Sequence, residues 1–165
     1  ASRTLELVEL PSDLLAAVDE HLPPRWSRNN PVDLAGGETR DTIPTVMELI
    51  ARHPAVDSIV YLGLGIQSNQ AEMMANGRFY PDHGLERIVE YHRRQDARFA
   101  QAAADISTAT GKPILCATEL AVSDPANAGP ATVRATGRVC YASANRAVTA
   151  LEHLTRYAAY RRSVS

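Results

Sequence analysis

The sequence predicts a three-layer α/β fold, in which helices cover both faces of a doubly wound parallel sheet. Two observations lead to this prediction. Short, continuous apolar runs are typical of strands buried in a parallel sheet, and the longer segments between them space their apolar residues as amphipathic helices do. The 165 residues are 45% hydrophobic and 22% charged, which is typical of one globular domain that buries its own core. We therefore expect a single domain over residues 1–165, with an N-terminal helix and lead-in (1–30) and an α/β core (31–162).

The lead-in is predicted to hold one short helix. Pro11-Ser12-Asp13 resembles a helix cap, and the helix is expected to reach about Leu22. Pro23-Pro24 ends it, because proline is not tolerated in a helix interior. Asn30-Pro31 follows, and the residue before a proline is pushed into extended geometry.

The core is predicted to alternate strands with helices. The predicted strands are Val32–Leu34, Ser58–Leu62, Pro113–Ala117 and Val139–Tyr141. The predicted helices run from about Thr39 to His53, from a cap at Ser68 or Asn69 to Met74, from Leu85 to Thr110, from Pro130 to Gly137 and from Ala144 to Tyr160. Strands separated by helices imply right-handed crossovers and a parallel sheet, and a flavodoxin-like sandwich fits this order best.

The ligand edge of such a sheet lies where strands end and helices begin. Three loops are predicted to meet at this edge: Ala35–Thr39, Gly63–Asn69 and Thr118–Asp124. We expect any ligand to bind there.

Charge and composition exclude several classes of function. A formal net charge of -2 provides no basis for binding nucleic acid or an anionic membrane. No run approaches about 18 apolar residues, and no basic stretch precedes an apolar one at the N-terminus, so neither a membrane span nor a signal peptide is predicted. Cys116 and Cys140 lie in apolar runs and are interpreted as buried thiols in a reducing cytoplasm. A disulfide between neighbouring strands is the less favoured alternative.

Several motifs together resemble the NDP-forming acyl-CoA synthetase family, which includes the ADP-forming acetate–CoA ligases and is related to succinyl-CoA synthetase. In chain order, the motifs are Leu22-Pro23-Pro24, Asn30-Pro31-Val32-Asp33-Leu34 with Gly36-Gly37, the step Pro54–Val60, Gly111–Leu115, Val139–Leu151 and the Tyr/Arg-rich tail Tyr157–Arg161. The resemblance runs from about Leu5 to Arg162. It is to the C-terminal flavodoxin-like domain of the CoA-ligase half, a succinyl-CoA synthetase domain-like unit.

The resemblance implies a reaction for the whole enzyme. Acyl-CoA, a nucleoside diphosphate and phosphate would be interconverted with carboxylate, CoA and a nucleoside triphosphate through a phosphohistidine. The implied partners are a CoA-binding Rossmann domain, a phosphohistidine-bearing domain and an ATP-grasp domain, and the parent enzyme would use CoA, ATP or ADP and Mg²⁺. This chain contains none of these modules. We therefore expect it to carry no catalytic residue, to bind no cofactor alone and to be inactive in isolation.

The leading candidate site is the run Gly63-Leu64-Gly65-Ile66-Gln67-Ser68. Glycines let a backbone approach an oxyanion, and a helix N-terminus presents free N–H groups with partial positive charge. The resemblance implies that this is one of two helix termini that stabilise the phosphohistidine, with Gly63, Gly65, Ile66, Gln67 and Ser68 as candidates. The alternative is a tight strand-to-helix turn that needs glycine only for its dihedral angles.

Two further loops are predicted to support this site. Asn30 and Asp33 are expected to fix the loop that contains Gly36 and Gly37 by hydrogen bonds, and Thr39 to cap the helix that follows; plain loop architecture is the alternative. Glu119 either orients a histidine from another domain or is a solvated loop acid. The five histidines show no ligand spacing, so no metal site is predicted.

The segment Gln70–Arg98 is longer than the corresponding segment in plainer members of the family. Its charged residues, Arg93, Arg94 and Arg98 against Glu86, Glu90 and Asp96, are interpreted as a solvated helix face, with a docking surface as the alternative. A second hypothesis for the whole chain is an independent flavodoxin-like module that binds a small anion or a nucleotide. The sequence leaves open whether the chain dimerises.

Overall fold

A computed structural model describes residues 4–34, 36 and 41–164 of the chain. The elements, in order, are α1 (Ser12–Asp19), α2 (Thr42–Arg52), β1 (Ile59–Leu62), α3 (Ile66–Ala75), α4 (Leu85–Thr110), β2 (Ile114–Ala117), α5 (Leu120–Ser123), α6 (Ala128–Ala135), β3 (Cys140–Tyr141) and α7 (Ala144–Ser163). Within the described ranges, no helix is both long enough and apolar enough to cross a membrane.

The three strands form one parallel sheet in the order β1-β2-β3. Helices flank this sheet, which confirms the predicted α/β class and is consistent with a flavodoxin-like fold. The central strand β2 is buried along its whole length because a strand covers each of its edges and helices cover each of its faces.

The side chains of β2 divide between two cores, as the two-residue period of a strand requires. Ile114 and Cys116 belong to one hydrophobic cluster, formed mainly with α2, α4 and α6. Leu115 and Ala117 point to the opposite face and pack against Ala147 and Leu151 of α7. This split places α7 on the face opposite to α4 and α6, so the sheet is covered on both sides.

A third hydrophobic cluster holds the N-terminal region. Leu14 and Val18 of α1 pack there with Trp26 and Val46. The indole N–H of Trp26 donates to the carboxylate of Asp19 at 2.6 Å, so the buried ring has its polar atom satisfied.

The predicted strand Val32–Leu34 is wrong, because these residues adopt no regular structure. Val32 and Leu34 instead pack their side chains against the α1 cluster. Alternating apolar residues here therefore indicate a stretch with one partly buried face, and not a paired strand. The prediction that the second helix begins near Thr39 falls outside the described residues, and the helix as described begins at Thr42.

Most remaining elements agree with prediction. Helix α4 has the predicted bounds, and Gly84 and Gly111, both at positive φ, flank it. The predicted cap of α3 at Ser68 or Asn69 is wrong, since the helix begins at Ile66 after Gly65. The short helix α5 was not predicted; it lies within the predicted loop Thr118–Asp124.

The two cysteines face each other across neighbouring strands, in register, as free thiols. Burial raises the pKa of the Cys116 thiol to about 12, and burial also raises the pKa of Cys140. Because the thiolate is the reactive form, we expect Cys116 to resist a thiol reagent at pH 8 in the folded protein. Titration with 5,5′-dithiobis(2-nitrobenzoate) should detect the Cys116 thiol only after unfolding in guanidinium, and rapid labelling of Cys116 in the native protein would contradict this prediction.

Candidate functional site

The candidate turn joins the carboxyl end of β1 to the first residue of α3. Gly63 has φ +82° and Gly65 has φ +99°, values that side-chain-bearing residues rarely adopt. The turn is thus at the predicted ligand edge of the sheet, and both glycines meet a backbone requirement there. Leu64, between them, is fully buried in the cluster that contains Phe99.

The start of α6 packs tightly against this turn. A Cβ atom on Gly65 would lie 2.6 Å from Leu120 Cδ1 and 2.8 Å from Asn127 Oδ1, and one on Gly129 would lie 2.8 Å from Leu64 Cγ. Asn127 connects the two elements through its side chain, which donates to the Gly65 carbonyl at 3.1 Å and accepts from the Gly129 N–H at 3.0 Å. Close packing is therefore a second reason for glycine at position 65.

A buried carboxylate already binds part of the turn. Asp96 of α4 is 1% exposed, and its two oxygens accept hydrogen bonds from the Gly65 N–H at 2.9 Å and the Ser68 N–H at 2.6 Å. The carboxylate thus lies at the N-terminus of α3, where the helix dipole favours negative charge. Of the four leading amides of the turn and helix, two are occupied from within the chain.

The interpretation of Asp96 as part of a solvated helix face is wrong. Asp96 lies seven residues from Val89 and seven from Ala103, both of which are buried on α4. This spacing places it on the apolar stripe of the helix, which is the signal in the sequence that identifies it as buried. Its partners, 28 and 31 residues away, have no such signal.

The outer amides of the turn are those of Ile66 and Gln67. No hydrogen bond from either N–H occurs within the part of the chain that the structure describes. The Ile66 side chain is exposed, and the Gln67 side chain contacts the His92 ring through Oε1. The first turn of α3 therefore presents two donors to its surroundings.

Two buried polar atoms near this helix end have no hydrogen-bond partner. They are Ser68 Oγ and Gln95 Oε1, in side chains that are 4% and 5% exposed. Ser68 is the residue whose N–H binds Asp96, and Gln95 precedes Asp96 on α4. Buried polar atoms are nearly always paired, so unpaired ones next to a helix N-terminus are unusual.

The other predicted loops take different positions. Glu119 flanks α5 with an exposed side chain, and the adjacent Leu120 lies beside Gly65, so the Thr118–Asp124 loop does reach the turn. Asn30 donates through its side chain to the Val8 carbonyl at 3.0 Å, and Asp33 is exposed. Asn30 and Asp33 therefore lie with the N-terminal segment.

Gly36 has φ +65° and is exposed, and a Cβ atom there would lie 3.8 Å from the Arg25 side chain. Gly37 and Thr39 lie outside the described residues, so their predicted roles rest on the sequence alone. A metal-binding group of three or more His, Cys, Asp or Glu side chains does not occur in the described ranges.

A shallow groove that the sequence did not predict follows β3 and the first turns of α7. Its volume is about 410 Å³, and it is lined by Tyr141, Asn145, Arg146, Thr149, Ala150 and His153. Arg146 and His153 line this groove, which begins at Tyr141, the last residue of β3. The α7 N-terminus is capped by the Ser143 hydroxyl, which accepts from the Arg146 N–H at 3.4 Å.

Comparison with known proteins finds one family that is similar to the first part of the chain. Residues 1–73 match the family model described as the Ligase-CoA domain, which is the CoA-ligase domain of NDP-forming acyl-CoA synthetases. The match confirms the predicted resemblance over those residues and includes all of β1 and the whole Gly63–Ser68 turn. Searches of curated proteins and of solved structures found nothing that matches the chain.

Proposed function

We propose that this chain, whose residues 1–73 match the Ligase-CoA domain, is a non-catalytic domain of an NDP-forming acyl-CoA synthetase that contributes a phosphate-stabilising helix terminus to the assembled enzyme. One observation carries the proposal. The matched segment ends inside α3, and its last elements are a partly buried parallel strand, a glycine turn and a helix start with two N–H groups that have no partner in the described chain.

The proposed ligand is the phosphoryl group of a phosphohistidine supplied by another domain. The N–H groups of Ile66 and Gln67 would donate to its oxygens, and the α3 dipole would favour its negative charge. Gly63 and Gly65 would set the turn, and Ser68 would begin the next helical turn. Asn30, Asp33, Gly36, Gly37 and Thr39 would shape the loop that precedes α2, and Glu119 would orient the histidine ring.

Exposed apolar side chains support a docking role. The end of α7 presents Leu154, Tyr157 and Tyr160, each more than half exposed, and α3 presents Met73 at 70% exposed. Aromatic and methionine side chains are enriched at protein interfaces. We propose that these surfaces contact the CoA-binding, phosphohistidine-bearing and ATP-grasp domains of a cytoplasmic synthetase, which would bind CoA, ATP or ADP and Mg²⁺.

The proposed phosphate contact is tested by removing one N–H. Proline is tolerated in the first turn of a helix and lacks this donor, so Gln67→Pro should lower the turnover of the assembled synthetase by about tenfold or more. Gln67→Ala is the control for loss of the side chain, and Asn145→Pro places proline at the same position of α7. Equal turnover for Gln67→Pro and both controls would contradict the proposed contact.

Incompleteness of the domain is tested separately. The chain alone, incubated with acetate, CoA, ATP and Mg²⁺, should release no ADP above the enzyme-free rate, and turnover should require the separately produced remaining domains. Release of ADP by the chain alone would show that it is a complete enzyme.

The groove beside α7 suggests a second candidate, an independent module that binds a small anion or nucleotide, because an arginine lines it. Arg146 would supply its positive charge. Titration calorimetry of the chain with phosphate, CoA and FMN distinguishes the two: affinity that Arg146→Ala abolishes would support the independent module, and affinity that Gln67→Pro abolishes would support the synthetase domain.

A further inference from the structure

We infer that Asp96 is an internal ligand of the α3 N-terminus, which a phosphoryl group must displace to bind there with full affinity. The inference deepens the proposed function and rests on it for the identity of the ligand. It assigns Asp96, a residue on α4, as the group that sets the affinity of the turn for tetrahedral phosphoryl anions.

The geometry makes the carboxylate a competitor. Its two oxygens bind the N–H groups of Gly65 and Ser68, which flank the free N–H groups of Ile66 and Gln67. A phosphoryl group on the two free donors would lie within one helical turn, about 5 Å, of a buried negative charge. Repulsion between like charges at this distance in a partly buried site lowers anion affinity by tenfold or more, as an order of magnitude.

The carboxylate has no cation to neutralise it in the described chain. No lysine, arginine or histidine in the described ranges forms an ion pair with Asp96. Its charge is balanced by the two amides and the α3 dipole, which are the groups that an incoming phosphoryl group would use. Carboxylate and phosphoryl group therefore compete for one set of donors.

An unpaired buried hydroxyl indicates a ligand larger than the carboxylate. Ser68 Oγ is buried with no partner, although the N–H of the same residue binds Asp96. A phosphoryl group has three terminal oxygens and a carboxylate has two. In the place of Asp96, a phosphoryl group would accept from both amides and from the Ser68 hydroxyl, which would satisfy a donor that Asp96 leaves unpaired.

The test measures phosphate binding by the whole chain and its Asp96→Asn variant. Asparagine keeps one acceptor oxygen, which serves one of the two amides, and removes the charge. We expect inorganic phosphate to bind Asp96→Asn at least about tenfold more tightly than the natural chain, with ¹⁵N–¹H shifts at Gly65, Ile66, Gln67 and Ser68. Asp105→Asn, which removes an exposed charge from the same helix, should match the natural chain.

Three outcomes would overturn the inference: equal phosphate affinity in the natural chain and Asp96→Asn, shifts that fall outside the turn, or no binding by either protein. If Asp96→Asn does not fold, titration of the natural chain still decides the question. Phosphate shifts at Gly65 and Ser68 that saturate in the micromolar range would show that Asp96 is no barrier, whereas shifts confined to Ile66 and Gln67, or appearing only at tens of millimolar, support it.

A failure here is distinct from a failure of the proposed function. If Asp96→Asn binds phosphate at the turn but Gln67→Pro leaves synthetase turnover unchanged, the internal ligand is real and the phosphohistidine contact is wrong. If Gln67→Pro lowers turnover but Asp96→Asn gains no phosphate affinity, the contact is real and Asp96 is only a helix cap. A double variant Asp96→Asn/Ser68→Ala isolates the hydroxyl and should lose several-fold of the gained affinity.

Discussion

Replacing Gly65 with alanine should lower the free energy of unfolding by about 3 kcal/mol, through two causes that add. The first is backbone strain, because φ at this position is +99°. The second is space, because the new methyl would lie 2.8 Å from Asn127 Oδ1. Asn127 must then move, and its movement breaks the bond to the Gly65 carbonyl and the cap on Gly129.

Urea unfolding followed by circular dichroism measures this loss, as a lower midpoint with an unchanged slope. Gly84→Ala is the matched control. Gly84 also has positive φ, +78°, but a Cβ there would meet no atom within 4 Å. Backbone strain alone should cost Gly84→Ala about 1 kcal/mol. If the two variants lose the same stability, close packing at Gly65 contributes nothing.

A partial rescue is expected from Asn127→Ala in the Gly65→Ala background. The shorter side chain removes the oxygen that the new methyl would strike, so the double variant should be less destabilised than the sum of the single variants. Additive effects would show that strain and not packing dominates.

The parallel core could be predicted from the sequence because its signals are local. Helix α4 shows a continuous helical period between two glycines, and β2 is an unbroken apolar run between Pro113 and Thr118. Both patterns report burial within one element. The parallel orientation of the strands also followed, since helical crossovers leave a parallel sheet as the simple arrangement.

The failures have a common physical origin in contacts between distant parts of the chain. Val32–Leu34 has a strand-like pattern, but tertiary packing against α1 and Trp26 determines its conformation. The Gly63–Ser68 turn was predicted from its glycines, whereas its occupation by Asp96 depends on how α3 and α4 pair. An acidic residue on an amphipathic helix is usually solvated, so only the heptad spacing to Val89 and Ala103 set Asp96 apart.

The prediction that the turn presents free N–H groups to a ligand was only half complete for the same reason. A glycine-rich helix start indicates donors, and it does not indicate which acceptor they bind. In this chain an internal carboxylate takes two of them, and the remaining two belong to Ile66 and Gln67. The number of open donors is therefore a property of the fold and not of the motif.

The Leu64 side chain anchors the turn in the core. Leu64→Ala should therefore cost about as much stability as Gly65→Ala. Leu64 is fully buried and packs in the cluster with Met47 and Phe99. Leu64→Ala leaves a cavity between α4 and α6, so the free energy of unfolding should fall by about 3 kcal/mol. Leu62→Ala, two residues earlier and 50% exposed, is the control and should cost less than about 1 kcal/mol.

A second substitution makes this prediction specific to the contact with α6. A methyl at Gly129 would lie 2.8 Å from Leu64 Cγ and 3.0 Å from the Gly65 nitrogen, so Gly129→Ala alone should be destabilising. Leu64→Ala removes the first of these atoms and opens space for the methyl. The double variant should therefore be about 1 kcal/mol more stable than the two single losses predict. If the two losses of unfolding free energy add strictly in urea unfolding, α6 does not pack on the turn as the structure places it. The close contact between the starts of α3 and α6 would then be wrong.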